Sequence, residues 1–261
     1  MAKTAALHHD GMVIFTLRAP ATVKAELASA EARRALLGEF LGSLLFVLLG
    51  AGTVIVTGGV LGEKLASARL LVIALAHGLA FLLLVAAMLP ISGGHLNPAV
   101  TFAAMLARKI NVTKGIMYIV MQCAGAVAGA LLLTLIIPDS THGTLGANGL
   151  GAKVSVAGGL TTEIVVTFML VSAVLSTTMG ASRPAALGLA AIGLTTILGY
   201  LFAVPLTGAS MNPARSLGPA FVSGVWKDHW IFWIGPMVGG ALAALMHQSL
   251  IRADRKSAAT R

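Results

Sequence analysis

Two copies of one tripeptide, Asn97-Pro98-Ala99 and Asn212-Pro213-Ala214, carry the most specific chemistry in this chain. An Asn side-chain oxygen accepts from free backbone N–H groups at a helix start. Pro fits the next position because its missing N–H would have no helical partner there. Each copy therefore reads as the start of a helix. The Asn amide also donates hydrogen bonds, and it lies beside the positive end of the helix it caps. Such a point attracts neutral polar molecules and repels cations. Arg215 lies three residues after the second Asn, on the first turn of that helix, and Glu39 and Glu163 stand in otherwise apolar runs. Charges in such places are costly, and they mark either function or a fixed structural duty.

Each of these residues has a plain reading beside the functional one. The Asn pair could cap helices and do nothing more. Arg215 could be a structural cation held by loop carbonyls. Glu39 and Glu163 could relay protons, or could accept hydrogen bonds from the backbone of the loops that carry the tripeptides. They precede their tripeptides by similar distances, 58 and 49 residues, which favours the structural duty. No phosphate-binding loop and no nucleophile with a neighbouring base is present, so the chain does not read as an enzyme or an energised pump.

The elements that position these residues follow from composition. Of 261 residues, 57% are hydrophobic and 10% charged, and mean hydropathy is +0.91. A soluble domain carries roughly a quarter charged residues. Six apolar runs are long enough to span a bilayer, at about 35–57, 68–90, 114–137, 159–180, 185–205 and 230–251. The tripeptides head two shorter segments, about 97–107 and 212–222. These are too short to cross a hydrocarbon core of roughly 30 Å. Irregular backbone at that depth survives only when buried in protein or lining a wet cavity, so both segments are expected to be re-entrant half-helices. The fold class is an all-α membrane protein with six transmembrane helices and two re-entrant half-helices. Three spans per half make the second copy inverted relative to the first, so the half-helices meet tip to tip.

The net charge of +9 is spread between the apolar runs, with no basic, aromatic-interleaved stripe for nucleic acid. Thirteen Lys and Arg fall on one side: Lys3, Arg18, Lys24, Arg33, Arg34, Arg108, Lys109, Lys114, Arg183, Arg252, Arg255, Lys256 and Arg261. Four fall on the other: Lys64, Arg69, Lys153 and Lys227. Positive residues stay inside, so both termini are expected in the cytoplasm. Residues 1–33 read as a cytoplasmic tail with a short surface helix over Thr22–Ala35, not as a signal peptide, because the Met12–Leu17 run is too short. The channel domain covers 34–251, with repeats at about 34–137 and 159–251, and 252–261 is a second cytoplasmic tail. Short loops and Ala- and Gly-rich spans suit a cell or bacterial inner membrane. The single Cys123 rules out a disulfide framework, and the histidines His8, His9, His142, His229 and His247 are not clustered. No metal or cofactor is expected.

At this point the residues resemble the aquaporin (major intrinsic protein) family. The matches are Ser92-Gly93-Gly94-His95-Leu96-Asn97-Pro98-Ala99-Val100-Thr101 and Ser210-Met211-Asn212-Pro213-Ala214-Arg215-Ser216, with the repeated glutamates, over about residues 34–251. The resemblance implies a passive channel, assembled as a homotetramer in membrane lipid with one pore per subunit. Asn97 and Asn212 would donate to permeant water at the pore centre. A constriction would be formed by Arg215, His77 (20 residues before Asn97), Tyr200 (15 before Arg215) and Ala209 (6 before it). Water-selective members commonly place Phe and His where His77 and Tyr200 stand, so the ring order departs here. Ammonia or another small neutral solute is therefore the alternative permeant, and a proton-coupled transporter is a remote one. Glycerol facilitators typically carry Asp and Lys where Ser216 and Ala220 stand, and the Phe232-Trp233 pair also fits the water-channel branch. Glu39, Glu163 and His95 would support the loops.

Overall fold

The computed structural model describes residues 29–62, 64–177 and 185–259, and side chains as far as 250. Eight α-helices occupy it: α1 Ala30–Ile55, α2 Ser67–Met88, α3 Pro98–Leu106, α4 Val112–Ile136, α5 Val156–Thr177, α6 Ala185–Thr207, α7 Pro213–Ser223 and α8 Ile231–Ala259. Among the described residues, six helices are long and apolar enough to cross a membrane. At a rise of about 1.5 Å per residue, α3 and α7 reach only about half-way across.

Caps explain the boundaries. Asn97 accepts from the N–H of Ala99, and Asn212 from those of Ala214 and Arg215. Ser29 caps α1 through the N–H of Ala32, and Asn111 caps α4 through that of Lys114. Of the expected surface helix over Thr22–Ala35, residues 30–35 are the first turns of α1. Residues 22–28 of that expected helix lie outside the described residues. The C-terminus of α1 loosens into a π turn, Val56–Val60. Arg69 of α2 explains it: its guanidinium takes the carbonyl of Val54 at 3.0 Å and Oγ1 of Thr57 at 3.1 Å. A side chain inserted into the helical ladder in this way displaces one of its bonds.

The packing repeats itself. α1 lies on α4 as α5 lies on α8; α1 pairs with α2 as α5 pairs with α6; and each half-helix packs on the last helix of the other repeat, α7 on α4 and α3 on α8. Glycines permit the close approaches. Gly125 of α4 faces the carbonyl of Phe40 on α1, and Gly239 of α8 faces that of Ile164 on α5. A Cβ at either position would run into backbone. In lipid, helices gain little from burying apolar surface against each other, so close backbone approach does that work. The core holds Phe46, Phe81, Leu170, Val171 and Tyr200, while Leu79, Leu83, Leu135 and Leu198 remain exposed on the outer faces.

Candidate functional site

The loops before α3 and α7 build the centre by the same device. Leu96 and Met211, the residues before each Asn, have φ of +50° and +53°. Non-glycine residues there cost about 1–2 kcal/mol each, so something must hold them. Glu39 and Glu163 do so from α1 and α5. Glu39 accepts from the N–H groups of His95 at 3.0 Å and Leu96 at 2.7 Å, from Ser92 Oγ at 2.6 Å and from Gln122 Nε2 at 2.7 Å. Glu163 accepts from the N–H groups of Ser210 and Met211, both at 2.9 Å, and from Thr207 Oγ1 at 2.6 Å. Both carboxylates are fully buried. His95 completes its loop, with Nδ1 3.1 Å from Thr101 Oγ1 and its ring edge-on to Tyr118.

The left-handed turns at Leu96 and Met211 also aim their carbonyls across the centre. Asn97 Nδ2 donates to the carbonyl of Met211 at 2.8 Å, and Asn212 Nδ2 donates to that of Leu96 at 2.8 Å. The two half-helix tips are thereby tied reciprocally. The amide groups are not wholly free: one N–H of each is consumed and one remains. Pro98, Ala99, Pro213 and Ala214 form the first turns behind them and are buried. A gap of about 10 Å³ lies against both Asn residues, Tyr200 and an apolar wall of Phe46, Phe81 and Leu170. That is about the room one water needs. A larger cavity of about 200 Å³ lies at the starts of α1 and α4 and includes no residue of either half-helix.

Of the four expected ring residues, His77 meets both Tyr200 and Arg215, Ala209 lies in the loop before α7, and all four are buried. His77 Nδ1 lies 2.8 Å from the carbonyl of Ile73. A carbonyl only accepts, so Nδ1 carries the hydrogen and Nε2 of the neutral ring is an acceptor. That Nε2 lies 3.5 Å from Arg215 Nη2. Tyr200 stacks on His77 with ring centroids 4.0 Å apart and planes 25° apart. Tyr200 Oη and Arg215 Nε are buried and have no hydrogen-bond partner within bonding distance and angle among the described residues. Ala209, at φ +54°, donates its N–H to Thr207 Oγ1 at 3.1 Å. Arg215 Nη1 donates to the carbonyl of Gly146 and to Asn148 Oδ1, both at 2.8 Å. Asn148 was not singled out from the sequence. An Asn in a Gly-rich loop signals only a turn, and its partner is 67 residues away.

The family model described as major intrinsic protein matches residues 26–247. The chain belongs to the major intrinsic protein family. Among relatives of this family, aquaporin-4 of Mus musculus is 40% identical over 222 residues, covering 85% of this chain and 68% of that protein. Aquaporin-2 of Ovis aries is 40% identical over 238 residues, covering 90% and 85%. The aquaglyceroporin of Plasmodium falciparum shares the fold, with TM-score 0.72 and 23% identity, over 84% of this chain and 97% of that one. Among the described residues, no group of three or more His, Cys, Asp or Glu gathers as a metal site would require.

Proposed function

We propose that this chain is a passive water channel. The observation that carries the reading is the reciprocal pair at the centre: each Asn amide spends one N–H on the opposite loop and keeps one for the permeant. A water oxygen that accepts from Asn97 and Asn212 together has little capacity to accept a proton from a neighbouring water. The positive ends of α3 and α7 add a field that opposes cations. Arg215, with His77, Tyr200 and Ala209, forms the selecting ring, and its charge repels cations a second time. Glu39 and Glu163 are loop anchors in this reading, since both oxygens of each carboxylate accept backbone N–H or side-chain donors in or beside its loop. The relatives named aquaporin-4 and aquaporin-2 support water as the permeant. The charge asymmetry supports cytoplasmic termini in a cell or bacterial inner membrane, and the family supports a homotetramer.

Stopped-flow light scattering on proteoliposomes tests the reading. Fast osmotic shrinkage with a low activation energy and no ion current is expected, and shrinkage no faster than in empty vesicles removes the proposal. Ammonia is a second permeant to measure. The acceptor Nε2 of His77 faces the ring and can take an N–H from the solute, so ammonia-driven alkalinisation is compared with that of His77→Phe. Alkalinisation no faster than in empty liposomes leaves water alone.

A further inference from the structure

We propose that Asn148, in the loop between α4 and α5, is a positioning residue for the Arg215 ring and couples that ring to the central Asn212. For its effect on flux the proposal rests on the channel reading above; for its geometry it does not. A guanidinium is a planar fork, and its orientation is set by which of its five N–H groups are engaged. In Arg215, Nη1 is engaged twice, by the carbonyl of Gly146 and by Asn148 Oδ1, each at 2.8 Å. Both of its hydrogens point at the loop. Nη2 and Nε are left to face the other way, with Nη2 3.5 Å from His77 Nε2 and Nε without a hydrogen-bond partner among the described residues. One acceptor would leave the fork free to pivot. Two acceptors in different directions fix its plane.

Asn148 is itself fixed. It is 5% exposed, and its Nδ2 donates to the carbonyl of Thr207 at 3.3 Å. That bond leaves Oδ1 for donors, and it takes a second one, the hydroxyl of Ser216 at 2.8 Å. Ser216 Oγ lies 2.6 Å from Ser210 Oγ, which accepts the backbone N–H of Asn212 at 3.3 Å. With each hydroxyl proton turned the same way, one chain of hydrogen bonds runs from Asn212 through Ser210 and Ser216 to Asn148. Its last oxygen also holds the guanidinium. A displacement of the 145–149 loop therefore moves the Arg215 guanidinium and the backbone of Asn212 together.

The test uses the full chain in liposomes with Asn148→Ala and Asn148→Asp, reading water permeability and proton leak, plus the structure of Asn148→Ala. Removing the acceptor is expected to displace the Arg215 guanidinium and to lower water permeability about tenfold, the factor carried by one hydrogen bond to a charged group. Asn148→Asp gives up the long Nδ2 bond to the Thr207 carbonyl but keeps the acceptor for both Arg215 and Ser216, and recovers most of the flux. Its carboxylate offsets the Arg215 charge, so proton leak rises, which a purely structural role would not produce. Arg215 unmoved and water permeability unchanged in Asn148→Ala overturn the proposal. If the Ala variant does not fold, Asn148→Asp decides: water flux with no rise in proton leak overturns it. If even the unmodified chain conducts no water, the channel reading fails, and the position of Arg215 in Asn148→Ala alone decides.

Discussion

The two buried glutamates show what a single residue does here. Each stands under a loop and converts a costly left-handed turn into a fixed one by accepting the N–H of the strained residue. In Glu163→Gln, one carboxylate oxygen becomes an NH₂ group that faces a backbone donor. Stability is expected to fall by about 1–3 kcal/mol, read as a lower thermal unfolding midpoint in detergent. A midpoint equal to that of the unmodified chain would mean that the carboxylate does not hold the turn. At this scale, residue types and spacing single out Asn97 and Asn212 because their tripeptide repeats, and Arg215 and the glutamates because a charge at membrane depth is costly. Two things were not legible. The reciprocal bonds to the Leu96 and Met211 carbonyls depend on φ values that no side chain announces. Asn148 is an inexpensive residue in a loop, so only its partners reveal it.

Elements were legible where length and hydropathy decide them. The expected spans match the six long helices to within a few residues, except that α1 begins earlier and α8 runs on to Ala259. The π turn after α1 escaped the sequence because its cause, Arg69, comes from another helix. Helix contact is the next level, and here glycine carries the burden. Gly125→Val puts branched carbon against the Phe40 carbonyl, where a single Cβ already collides. Overpacking of this kind costs about 1–3 kcal/mol, so the variant is expected to give a lower yield of monodisperse protein. A yield and melting profile equal to those of the unmodified chain would contradict the close α1–α4 contact. The entry to α8 adds a pH dependence. Trp233 Nε1 donates to His229 Nε2 at 3.2 Å, and burial lowers the His229 pKa below its ordinary value of 6.5. The neutral ring is the folded partner, so this contribution is complete above about 6.5. It is lost as pH falls through the lowered value. Trp fluorescence is expected to change on acidification, and the change should vanish in His229→Ala.

At the scale of the whole molecule, exposed leucines on the outer faces are what lipid or neighbouring subunits would cover. Native mass measurement in mild detergent is expected to give four chains, and a monomer there would leave lipid as the only cover. The inverted repeat was legible from three spans per half, while its pairing pattern, half-helix against the opposite repeat, needed coordinates. That pattern bears on how the protein is made. The two bonds that close the centre join residues 114 and 116 positions apart. Closing so long a loop comes late, after local helices have formed. While the ribosome is still translating the second half, α3 must wait in the bilayer with Asn97 lacking its partner. Neither half carries both Asn residues, so a nascent chain lacks the paired centre until residue 212 has arrived.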